Sequence, residues 1–101
     1  MATSDDKIAH NQATFRALND EIETAVRRFH IARTEPVRFV CECGDRDCLA
    51  AVAVPLAVYE RVRWDSHFFL VAPGHAVAGV ERTIEASEDY AIVEKAGGPR
   101  R

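Results

Sequence analysis

No stretch of this 101-residue sequence approaches the roughly 18 consecutive apolar residues that a membrane-spanning helix requires. The opening segment, MATSDDKIAHNQ, also lacks the charged-then-apolar pattern of a signal peptide, so a cytoplasmic protein without membrane association is expected. Glycine and proline are scarce, at five and four residues, and there is no low-complexity tract or internal repeat, which excludes a disordered or repeat architecture for the body of the chain. Positive charge is not in excess. Thirteen Lys and Arg stand against sixteen Asp and Glu, a net charge of -3, which leaves no global basic field to draw the chain onto nucleic acid. No phosphate-cradling glycine motif is present, because PGH and AGG are too short and sit in the wrong context. Cysteine is limited to three residues, and a disulfide framework would leave one of them over.

What is present reads as one globular domain. Hydrophobic residues make up 48% and charged residues 29% of the chain, enough for a single core. Residues 1–95 are expected to form that domain, followed by a flexible tail, AGGPRR, over 96–101. Ile8, Phe15, Leu18, Ile22, Ala25, Val26 and Phe29 recur at helical spacing, which predicts a long helix from about Ser4 to Phe29 with its apolar stripe facing a sheet. Ser4 suits its N-cap, Asp5 and Asp6 its positive end, and Arg27, Arg28 and His30 its negative end. PVRFVCE and LAAVAV are β-branched runs that predict a hairpin carrying the cysteines at its tip. PLAVYERVR predicts a short helix, HFFLVA a strand, residues 80–86 a second short helix, and YAIVEK a last strand. The order α-β-β-α-β-α-β predicts an α+β fold. A sheet of about four strands, including the cysteine-bearing hairpin, would be covered by the long N-terminal helix and two short ones.

All three cysteines fall within CECGDRDC, residues 41–48. Cys41 and Cys43 are two apart at a strand end, so period-2 geometry sends both to one face. Gly44, Asp45 and Asp47 favour a reversal that brings Cys48 back toward them. Three thiolates and one further ligand make a tetrahedral site of the kind zinc prefers. Of His10, His30, His67 and His75, the last is the best fourth ligand, because APGH ends a strand with a turn that a neighbouring hairpin tip can reach. His67 starts the same strand and lies at its other end. Asp45 and Asp47 are alternative ligands that also serve as turn formers. The site expected is Cys41, Cys43, Cys48 and His75 around a structural Zn²⁺, with Arg38 and Arg46 offsetting its net charge. The competing reading makes the cysteines small core residues.

CECGDRDC, VYERVRWDSHFFLVAPGH, YAIVEK and FRALNDEIE together resemble a group of small uncharacterised actinobacterial proteins with a CxCx4C motif and a downstream PGH motif. The resemblance covers nearly the whole chain and implies a compact domain built around those two motifs, without an activity. The CxCx4C spacing is also similar to the post-SET segment of histone methyltransferases, where three cysteines take a fourth ligand from elsewhere; this supports only the metal geometry. The expected role is a non-enzymatic zinc-binding module that binds a protein partner or regulates. The alternative is a thiol/zinc redox sensor, followed by a metal-dependent hydrolase or a nucleic-acid-binding module. Arg27, Arg28 and Arg33, and Arg61 and Arg63 beside Trp64, are the only basic groupings, and each reads as a solvated helix face. Trp64, Phe68 and Phe69 read as core rather than a recognition platform, with room for one of them to be exposed.

Overall fold

The computed structural model of the chain describes residues 5–43, 45, 47, 48, 50–76 and 81–95, with side chains from His10 onward. Helix α1 spans Asp5–Arg28, and β1 (Pro36–Val40) and β2 (Ala51–Pro55) form an antiparallel hairpin in which Phe39 is opposite Val52. Pro55, in an extended conformation, hands β2 directly to α2 (Leu56–Val62). β3 (Phe68–Val71), β4 (Glu81–Ala86) and β5 (Ala91–Lys95) make a second antiparallel sheet in the order β3-β5-β4. The fold is α+β, as its sequence implies, with five strands in two small sheets. The expected Ser4 cap, the helix start near Val80 and the 96–101 tail lie outside the described residues.

Two of the helical expectations depart from the structure. Where a third helix is expected over residues 80–86, residues 81–86 form the edge strand β4. Its register slips between Thr83 and Glu85, so Ile84 is the extra residue of a β-bulge and remains partly exposed. The bulge breaks the alternation that would have marked a strand. Arg82 pairs across the ladder with Glu94 at 2.6 Å, and Glu85 takes bonds from Arg61 and Tyr90. The second departure is the rotation of α1. The residues it buries most deeply are Gln12, Asn19 and Val26, whereas Leu18 and Phe29 of the expected apolar stripe are 46% and 72% exposed.

The core itself follows strand parity. Val52 and Val54 point inward from β2 while Ala51 and Ala53 face solvent, and the central strand β5 buries Ala91, Ile92 and Val93 in succession because neighbours cover both its faces. Phe39 stacks on Tyr59 with ring centroids 4.5 Å apart, which joins the hairpin to α2. The backbone N–H of Glu42 donates to the carbonyl of Leu70 at 2.7 Å, which ties the hairpin to the second sheet.

Helix α1 ends in a Schellman motif. Ile31 N–H donates to the Val26 carbonyl at 3.2 Å and His30 N–H to that of Arg27 at 3.2 Å. His30 therefore occupies the left-handed position, with φ 56°, that glycine fills without steric cost. His30→Gly is accordingly expected to stabilise the protein by about 0.5–1 kcal/mol, read as a rise in the urea midpoint at unchanged slope.

Candidate metal centre

The cysteine hairpin and the PGH turn meet. The Sγ atoms of Cys41, Cys43 and Cys48 and a ring nitrogen of His75 all lie within 4.8 Å of one another. The local sequence explains why. Cys41 continues the β1–β2 ladder by donating its N–H to the carbonyl of Ala50 at 3.1 Å, and parity then carries Cys43 to the same face. Asp45 folds the tip back: its Oδ1 accepts from Asp47 N–H at 2.9 Å, and its carbonyl accepts from Cys48 N–H at 2.9 Å. Asp45 is thus a turn former, and both it and Asp47 stay outside the cluster.

His75 arrives on a type II turn. Its N–H donates to the carbonyl of Ala72 at 3.1 Å, Pro73 holds the first central position, and Gly74 at φ 82° holds the second. A side chain at Gly74 would meet no atom within 4 Å, so the positive φ is what calls for glycine there. The same turn aims Ala72 N–H at Cys41 Sγ, 3.2 Å away. His75 Nδ1 stands 3.5 Å from Cys41 Sγ and 3.5 Å from Cys48 Sγ. Cys41 and Cys43 are buried at 2% and 6% exposure, and Cys48 is only partly enclosed. Burial pushes the Cys41 thiol well above the ordinary cysteine range, proximity to the neighbouring sulfurs raises it further, and burial raises the Cys43 thiol as well. Three thiols and an imidazole so placed form a Cys3His group positioned to bind a metal ion.

His10 is exposed on α1, and the other two histidines do other work. His30 closes α1, and His67 Nδ1 sits 3.1 Å from Asp65 Oδ1 at the far end of β3. The basic groupings are largely neutralised in place. Glu60 binds both Arg27 and Arg33, Glu85 binds Arg61, and Asp20 binds Arg63 at 2.9 Å. Trp64, expected in the core, is 88% exposed, whereas Phe69 is buried beneath the guanidinium of Arg16, 4.2 Å from its ring centre. Arg38 lies on the exposed side of β1, and Arg46 is outside the described residues.

Glu42, between the two buried cysteines, is the residue sequence reasoning missed. Its side chain is fully buried on the side of the hairpin away from the sulfurs. Asn19 Nδ2 donates to Oε2 at 2.8 Å, Tyr59 OH to the same oxygen at 3.2 Å, and Leu70 N–H to Oε1 at 3.0 Å. The Arg16 guanidinium stands 3.9 Å from Oε1. Burial pushes the Glu42 carboxyl above the ordinary carboxylate range, and Asn19, Leu70 N–H, Arg16 and Tyr59 offset only part of that rise. Asn19 also exchanges two bonds with the Val40 backbone, at 2.8 and 2.9 Å, and Gln12 reaches Glu81 at 2.6 Å. This network explains the rotation of α1: a buried carboxylate requires donors, and the helix supplies them from Arg16 and Asn19. Strand parity was the available signal, since two cysteines facing one way send Glu42 the other.

Among the described residues no helix is long and apolar enough to cross a membrane. Comparison with protein-family models, curated proteins and solved structures finds no match for the chain.

Proposed function

We propose that this chain is a small zinc-binding domain in which Cys41, Cys43, Cys48 and His75 hold a structural Zn²⁺, and that it serves as a non-enzymatic protein-binding or regulatory module in the cytoplasm. The observation that carries the metal reading is the spacing of the donor atoms. Zinc bonds of about 2.3 Å to sulfur and 2.0–2.1 Å to nitrogen, at tetrahedral angles, set nitrogen and sulfur roughly 3.5 Å apart. His75 Nδ1 lies 3.5 Å from each of two sulfurs. Four protein ligands close the coordination sphere, which favours a structural ion over one with an open position for hydrolysis. The Ala72 N–H directed at Cys41 Sγ suits a thiolate ligand, whose charge it helps to disperse. Three free thiols suit a reducing compartment, and the acidic balance favours a protein over a nucleic acid as partner.

Native mass spectrometry tests the metal directly. One zinc per chain is expected, removed by a strong chelator together with much of the thermal stability; a metal-free chain of unchanged stability overturns the reading. The partial exposure of Cys48 favours one second reading, a redox sensor. In it, the thiolates of Cys48 and a neighbouring cysteine give up two electrons and form a disulfide, hydrogen peroxide takes those electrons and two protons from solvent to become two waters, and Zn²⁺ leaves. Zinc retained under micromolar peroxide argues against that sensor and leaves the structural site intact.

A further inference from the structure

The rotation that turns Gln12, Asn19 and Val26 of α1 inward leaves an apolar seam beside them. Phe15, Leu18, Ile22, Ala25 and Phe29 follow one another at alternating steps of three and four, the a/d spacing of a helix that packs lengthwise on another helix. Phe29 keeps that geometry just past the helix end, its N–H donating to the Ala25 carbonyl at 3.0 Å. Ile22 packs partly against the core, but Leu18 and Phe29 are 46% and 72% exposed and Ala25 is exposed. The seam runs roughly 21 Å at the helical rise of 1.5 Å per residue.

Charge placement identifies what fits it. Glu21 and Arg28 flank the seam on its solvent side, seven residues apart and both exposed. Neither makes an ion pair or a side-chain hydrogen bond among the described residues, although most neighbouring arginines do. Beside the seam a depression of about 320 Å³ is lined by Asp20, Glu21, Thr24, Ala25 and Arg28.

We infer that this face of α1 binds a second copy of the chain, the two helices packing antiparallel about a two-fold axis. In that arrangement Leu18 meets Phe29 of the second copy, Ile22 meets its Ala25, and Glu21 comes beside its Arg28, each contact occurring twice. Such self-complementarity is what a two-fold interface demands. A parallel pair would set Glu21 against Val26 of the second copy, with no counter-charge. The inference is independent of the metal reading, because the seam and the cysteine cluster share no residue.

Sedimentation equilibrium of the full chain, from micromolar to millimolar concentration, tests it. A monomer–dimer equilibrium is expected. Glu21→Arg or Arg28→Glu alone is expected to raise the dissociation constant about tenfold or more, the double exchange to restore it, and Phe29→Glu to give monomer. Circular dichroism checks that each variant keeps the wild-type fold, which these exposed positions allow. A wild-type monomer at millimolar concentration overturns the inference and leaves the seam to a different chain. A dimer indifferent to Phe29→Glu, or single reversals that the double exchange does not rescue, overturn it as well.

Discussion

Glu42→Gln is expected to lower the unfolding free energy by about 3 kcal/mol and the melting temperature by about 15 °C, a large effect for a change of one oxygen to one nitrogen. The reason is the direction of every bond around the carboxyl. Asn19 Nδ2, Tyr59 OH and Leu70 N–H all donate to it, and the Arg16 guanidinium faces it. A carboxylate accepts on both oxygens, whereas a glutamine amide presents its NH₂ to one set of those donors and leaves them unpaired in a site closed to water. Arg16 would also lose the anion that offsets its own burial. Tyr59→Phe removes one donor of several and is expected to cost about 1 kcal/mol. Chemical denaturation of the two variants beside wild type checks the ranking. A Glu42→Gln protein as stable as wild type would mean that the network does not anchor α1.

The sequence made the hairpin and the site legible for the same physical reason. Period-2 parity decides which face each cysteine takes, Asp45 and Gly74 mark turns whose geometry is local, and both turns lie where the residues place them. The orientation of α1 was not legible, because apolar spacing alone favours the stripe through Leu18 and Phe29. A single buried charge from another element outweighs it: Glu42 can be satisfied only if Arg16 and Asn19 face inward. Residues 81–86 misled for a second reason. A bulge at Ile84 inserts one residue into the two-residue alternation, and the resulting pattern imitates a helix turn. The first difference arises from a partner distant in sequence, which no local window contains, and the second from an irregularity inside a local hairpin, where β4 pairs with β5 across residues 87–90.

Zinc affinity, under the proposed reading, is expected to rise at least about a hundredfold for each pH unit between pH 6.5 and 7.5, and to fall on the order of a thousandfold in Cys43→Ser. The pH slope follows from the protons that must leave. Zinc binds thiolates, and burial holds the Cys41 and Cys43 thiols protonated well above neutrality in the metal-free fold. Each therefore surrenders a proton when the ion enters. Two protons released at neutral pH make the logarithm of the affinity climb by at least about two per pH unit. The sign for stability is the same. The ion binds the folded chain, so its stabilisation grows as pH rises through this window and is lost as acid returns the protons to the sulfurs. Competition against a chromophoric chelator at several pH values measures the slope, and thermal melts with and without zinc measure its consequence. The ligand variants separate the roles further. Cys43→Ser removes a buried sulfur, whereas His75→Ala removes the nitrogen ligand and should lower affinity while leaving the three sulfurs in place. An affinity that does not vary with pH, or a His75→Ala protein that binds as tightly as wild type, would place the ion elsewhere on the chain.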